Sequence, residues 1–206
     1  MMVIKKSITK TENGTIKRNL RKWYRYATQD QKLNGLRWYD DAQDHAKLLA
    51  DTFDIDRYVA AQVISALSPN NKWNRNKIDA FNVVRCWKDG DNPDSVKVCT
   101  YSANKDKAFA ILNGEISIEK TAPKTHAFGM NIGYLSPDHV TIDKWHIRAC
   151  LATPTNQSKV VESITDKHYQ RVEKLTVELA REYNLKGFQF QAIVWTAVRE
   201  GWDYED

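Results

Sequence analysis

Residues 124–148, KTHAFGMNIGYLSPDHVTIDKWHIR, place Lys124 19 positions ahead of Asp143, which closes the apolar, strand-like run Val140-Thr141-Ile142 and opens a helical one. An amine and a carboxylate facing one cavity suit chemistry at a sugar carbon. A partly desolvated lysine can form a Schiff base with C1′ or another carbonyl-like carbon. A carboxylate can stabilise the positive charge that develops on a sugar ring as its glycosidic bond breaks, or deprotonate the attacking group. Each residue also has an ordinary reading. Asp143, ahead of KWHIRACL, is a helix N-cap, and Lys124, in a short polar connection, is a solvated lysine or a phosphate contact.

Outward from this stretch, apolar residues recur at helical spacing and strict alternation is rare, so the chain reads as all-α with eight or nine helices. The first covers about 15–27. Gly35 precedes a longer one in which Leu36, Tyr39, Ala42, Ala46, Leu49 and Phe53 share a face. IDRYVAAQVISAL, capped by Asp54 or Asp56 and ended by Pro69, is apolar nearly all round and reads as the central buried helix. NKWNRNKIDAFNVVRCW is amphipathic. The turn-rich KDGDNPDS at 88–95 is the best candidate for a boundary or exposed loop. Short helices are expected at 103–114 and 122–132, another over 143–152, and two longer ones at about 158–183 and 187–200.

The 206 residues, 42% apolar and 28% charged, are those of a globular protein with one compact unit. Seven Trp, nine Tyr and six Phe are a heavy aromatic load for a mean hydropathy of −0.62, and stacking on nucleobases is one use for such rings. The net charge of +5 suits a polyanionic partner. Lys5, Lys6, Lys10, Lys17, Arg18, Arg21, Lys22 and Arg25 face only Glu12 between residues 4 and 25, which predicts a basic N-terminal arm or first helix. Three scattered cysteines, Cys86, Cys99 and Cys150, argue for a reducing compartment and against a zinc ribbon or iron–sulfur cluster. Dispersed histidines, among them His126 and His146, indicate no metal site. The absence of an apolar leader or membrane-length window makes a cytoplasmic protein the default expectation.

Several pieces together resemble the helix-hairpin-helix DNA glycosylase superfamily. Pro123-Lys124-Thr125 leading into AFGMNI is similar to that family's hairpin lysine entering a helix, and Ile142-Asp143-Lys144-Trp145-His146-Ile147-Arg148 is similar to its V-D-x-H run. Upstream, Val63 to Asn71, VISALSPNN, resembles an apolar helix ending in L-S-x-Q, whose amide fills the gap left by an extruded base. Asn70 or Asn71 then corresponds to the wedge, with Trp73 after it; the same residues also read as a polar turn between helices. Where the family hairpin reads L-P-G-x-G-x-K, this chain has IEKTAPKT, without the glycines that let backbone N–H groups approach a phosphate.

The resemblance implies a two-lobed glycosylase fold, with 55–155 as the central lobe and 1–54 packing with 156–206 as the second. It implies N-glycosylase action on a damaged or modified base flipped out of double-stranded DNA, with β-lyase competence if Lys124 is the nucleophile and Asp143 the activating carboxylate. DNA contacts would come from Asn70, Asn71, Lys72, Trp73, Arg75, Lys120, Thr121, Thr125 and Arg148. A base pocket would draw on His126, Trp145, His146, Gln189 and Trp195. The run 187–199 also reads as a core-facing closing helix. No cofactor or metal is implied, and a monomer is expected. Two alternatives stay open: a phage-type enzyme modifying hypermodified pyrimidines on the same fold, active in a host cytoplasm, and a non-catalytic DNA-binding module.

Overall fold

The computed structural model describes residues 5–118, 122–134 and 136–202. Among these the regular structure is helical: α1 (Asn13–Tyr26), α2 (Gln29–Phe53), α3 (Arg57–Ala66), α4 (Trp73–Asp89), α5 (Ser102–Leu112), α6 (Pro123–Tyr134), α7 (Lys144–Leu151), α8 (Asp166–Glu182) and α9 (Gly187–Trp202), with 3-10 turns at Ile8–Lys10 and Pro93–Ser95. Extended pairing among the described residues is limited to isolated bridges, Lys6 with Val160 and Thr153 with Asn156. The all-α reading holds. No helix among the described residues is long and apolar enough to cross a membrane.

The chain forms two compact units, Met1–Tyr39 with Pro137–Asp206, and Asp40–Ser136. These boundaries lie earlier than the expected 54/55 and 155/156. The stretch at 88–95, expected as a boundary or exposed loop, is exposed throughout and falls inside the second unit. Its surroundings explain why: the Cys99 N–H donates to Asp79 at 2.8 Å and the Thr100 hydroxyl to the Pro69 carbonyl at 2.7 Å, so the segment is fastened to its own unit.

In the first unit, α1 presents Ile16, Leu20 and Trp23, each at most 1% exposed, to α7, α8 and α9. Polar groups close the same seam. Asn19 Nδ2 donates to the Cys150 carbonyl at 2.9 Å and Trp23 Nε1 to the Ala152 carbonyl at 2.8 Å, satisfying acceptors at the end of α7 that the helix itself leaves open. On the outer side of α1, Lys17 pairs with Glu178 at 2.6 Å and Arg21 with Glu182 at 2.8 Å. Gly35, expected just ahead of a helix, lies inside α2. A Cβ there would come within 2.6 Å of the Ile193 backbone, so the glycine serves a close helix approach rather than a start signal. Another difference concerns α8, which begins at Asp166; residues 158–165 are not helical.

In the second unit, α3 is the central helix, with Ala60, Ala61, Val63, Ile64, Ala66 and Leu67 at most 1% exposed. Burying each of its larger aliphatic side chains is worth roughly 1.5–3 kcal/mol. Asp56 caps it, accepting from the Tyr58 and Val59 N–H groups. Its buried polar residues all find partners: Ser65 Oγ donates to the Thr125 carbonyl at 2.6 Å, Gln62 Oε1 accepts from the Ile118 N–H at 2.5 Å, and the Ile64 carbonyl accepts from Asn76 Nδ2 at 3.1 Å. Through these bonds α3 fixes α4, the start of α6 and the segment before it. Gly90, in the left-handed region at φ 72°, ends α4 with the Asp91 N–H bonded to the Cys86 carbonyl.

Candidate active site

The run ahead of Asp143 has strand-like sequence but no strand partner; α8 takes that role. Glu173 Oε1 accepts from the Val140 N–H at 2.9 Å, while Tyr169 Oη accepts from the Ile142 N–H at 3.1 Å and donates to the Val140 carbonyl at 2.7 Å. Val140 is fully buried and Ile142 3% exposed, so the segment reaches Asp143 with little freedom.

Asp143 then turns into α7 as its N-cap. Oδ1 accepts from the His146 N–H at 2.9 Å, the capping bond, and Oδ2 accepts from the Trp195 indole N–H at 2.9 Å. Two N–H donors on this half-buried carboxylate fix its plane. Behind it, Trp195 lies 6.2 Å from the Trp38 ring and Trp38 meets Tyr39 edge-on at 4.7 Å. Arg199 lies 4.5 Å above the Trp195 ring.

The phenols near this carboxylate stay protonated. Burial raises the Tyr39 pKa, and the Asp143 charge adds to it; the hydroxyl donates to Gln191 Oε1 at 3.0 Å. Burial likewise raises that of Tyr169, with Asp143 among the lesser causes. The site therefore pairs an anion with neutral donors and aromatic rings.

His146 does not reach a ligand, contrary to the expected base-pocket role. It is fully buried, and its Nε2 lies 2.9 Å from Thr176 Oγ1. Because the Thr176 hydroxyl donates to the Val172 carbonyl, its oxygen accepts, which assigns the proton to Nε2. Burial lowers the His146 pKa to about 3. The other expected residues near α7 are engaged as well. Arg148 pairs with Glu162 at 2.6 Å and stacks between Trp145 at 4.4 Å and Trp202 at 5.2 Å. Gln189 Oε1 accepts from the Lys186 N–H, fastening the start of α9.

In the second unit, the expected wedge and phosphate contacts surround a residue that sequence reading missed. Asp79, with no exposed surface, accepts from Asn71 Nδ2 at 2.9 Å, Arg75 Nε at 2.8 Å and the Cys99 N–H at 2.8 Å. Asn71 and Arg75 thus serve the scaffold, although Arg75 remains partly open to solvent. Asn70 is exposed at φ 55°, a left-handed position that asparagine tolerates, and its Nδ2 reaches Tyr101 Oη at 2.5 Å. Lys72 is exposed; Trp73 meets His45 and Phe128 edge-on, with Lys77 over its ring.

At α6, Lys124 is exposed at the helix's second residue, where water reaches its ammonium. Thr125 gives its carbonyl to Ser65, and His126 Nδ1 lies 3.2 Å from the Ile118 carbonyl. Lys120 and Thr121 lie outside the described residues. Among the described residues no group of three or more His, Cys, Asp or Glu is arranged to hold a metal ion.

The sequence matches one family over residues 2–202, described as a family of unknown function, DUF7178. The chain belongs to that family. No curated protein and no solved structure matches it. DUF7178 carries no assigned chemistry, so function rests on the residues themselves. Sequence reading singled out Asp143 and Trp195, which a hydrogen bond brings together, but not their neighbours Trp38, Tyr39 and Tyr169, nor Asp79 in the second unit. A signal existed for Asp79, an acid four residues after Arg75 and eight after Asn71, on one face of an amphipathic helix.

Proposed function

We propose that this chain is a DNA N-glycosylase of the helix-hairpin-helix type, acting on a modified or damaged base, with Asp143 as its catalytic carboxylate. The observation that supports this reading is the double anchoring of Asp143 by the His146 N–H and the Trp195 indole, beside half-exposed Trp38 and Trp195. A carboxylate fixed in this way can stabilise the oxocarbenium-like charge on C1′ as the glycosidic bond breaks, and can then accept a proton from attacking water. Aromatic rings next to it offer stacking for a base removed from the duplex. Trp145, half-exposed at the second residue of α7, lies two positions after Asp143.

The exposed Lys124 suits a phosphate contact better than a nucleophilic amine, so simple hydrolytic base release is favoured over β-lyase action. Incubation with DNA carrying modified pyrimidines, followed by mass spectrometry of the released and retained nucleosides, tests the reading. Free base that disappears in Asp143→Asn supports it. An altered nucleoside that stays in the strand would replace excision by base modification, and unchanged DNA on every substrate would remove the enzyme assignment.

A further inference from the structure

Within the first unit, a cavity of about 410 Å³ lies between the start of α1 and the end of α7, away from Asp143 and its anchors. Lys6, Lys10 and Arg18 line it, against the single carboxylate of Glu12. None of the three cations forms an ion pair among the described residues, whereas Lys17 and Arg21 of the same helix are neutralised by Glu178 and Glu182. The basic N-terminal segment is therefore not a uniformly charged arm. Part of its charge is spent on α8, and three of its other cations are collected around one concavity.

The walls of this cavity are fixed. Arg171 reaches from α8 to the Ile8 carbonyl at 3.2 Å, to the Thr11 carbonyl and to Asn13 Oδ1 at 2.6 Å, pinning the turn that carries Lys10 and Glu12. Lys6 is held by its backbone, with its N–H on the Lys159 carbonyl at 3.2 Å and its carbonyl accepting from the Val161 N–H at 2.8 Å. On the α7 side the Cys150 and Ala152 carbonyls, which would otherwise draw a cation, are taken by Asn19 and Trp23. What remains is rich in donors: two ammonium groups, a guanidinium and the Thr15 hydroxyl, which accepts from Arg18 at 3.2 Å and keeps its own proton to give.

We infer that this cavity is a phosphate-binding site, taking the phosphate of a nucleotide-sized ligand or of a nucleic-acid backbone. Unpaired cations facing one carboxylate call for an anion with more than one charge-accepting oxygen, and phosphate supplies it. The volume falls within the range of ligand pockets, roughly 300–1,000 Å³. The inference stands on α1, α7 and α8 and does not depend on the role of Asp143.

Titration of the full chain with pyrophosphate, adenosine 5′-monophosphate and a short DNA duplex, followed calorimetrically, tests it. Saturable one-to-one binding is expected for at least one probe, weakened roughly tenfold in each of Lys6→Gln, Lys10→Gln and Arg18→Gln. Lys22→Gln, an exposed change on α1 outside the cavity, is the control and should leave affinity nearly unchanged. Arg18→Lys, which keeps the charge, should retain most of the binding and separates charge loss from misfolding. Pyrophosphate or the mononucleotide binding with this dependence identifies a free phosphorylated ligand; the duplex alone doing so identifies a strand phosphate. Absence of saturable binding for all three probes, or equal weakening by Lys22→Gln, would overturn the inference.

Discussion

Trp195 donates its indole N–H to Asp143 Oδ2 at 2.9 Å, so α9 holds the carboxylate that caps α7. The other oxygen is held by the backbone of α7 itself. Asp143→Asn keeps the N-cap through its amide oxygen, because asparagine caps as well as aspartate, but turns its –NH2 toward the Trp195 indole N–H, so thermal denaturation should report a loss of about 1–3 kcal/mol with the chain still folded. Base release should nonetheless fall by about a thousandfold or more, since the charge facing the sugar is gone. Trp195→Phe keeps the ring and removes the donor, with an expected loss of about 1 kcal/mol in stability and a smaller fall in base release.

A second prediction concerns Asp79. Its removal in Asp79→Ala leaves Arg75, Asn71 and the Cys99 N–H without their shared acceptor. Urea denaturation should report a loss of about 3–5 kcal/mol. Hydrogen exchange should rise first at residues 96–101, the loop that Asp79 fastens.

His146 makes stability depend on acidity. Its folded pKa of about 3 lies below the ordinary 6.5, so the unfolded chain takes up a proton that the folded chain refuses. The stabilising contribution is complete above pH 6.5 and declines as pH falls toward 3, by about 1.4 kcal/mol per pH unit. Glu173 works in the opposite direction, because burial raises its pKa and the folded state then holds its proton more tightly. Comparing the wild type with His146→Gln by denaturant titration across this range cancels the Glu173 contribution. The variant should show the shallower acid dependence.

Gly35→Ala would drive a methyl group into the Ile193 backbone at 2.6 Å. Despite the better helix propensity of alanine, the overpacking should cost about 1–3 kcal/mol, read as a lower melting temperature. A matching change at Gly14, where an added Cβ meets nothing within 4 Å, should be neutral or stabilising.

The helices were legible because their signals are local. Asp56 and Asp143 cap where their sequence positions imply, and Gly90 ends α4. What sequence could not supply were the contacts between segments far apart in the chain. Val140-Thr141-Ile142 has the composition of a strand, yet its partners are the side chains of Tyr169 and Glu173 on a helix. His146 follows Asp143 as a site histidine would, but Thr176 holds it in the interior. Asn71 and Arg75 looked like surface contacts because the spacing that sets Asp79 beside them does not show that its carboxylate is buried. The reading of Gly35 failed for a similar reason, since the helix that crowds it lies more than 150 residues further along the chain.

The second unit, Asp40–Ser136, is inserted between the two stretches that make the first. During synthesis, α1 leaves the ribosome with Ile16, Leu20 and Trp23 uncovered, and the surfaces that bury them on α7, α8 and α9 emerge only after the whole insertion has been translated. At roughly 5–20 residues per second the inserted unit has several seconds in which to fold first. The first unit, closed by contacts between distant parts of the chain, is the slower and more aggregation-exposed of the two.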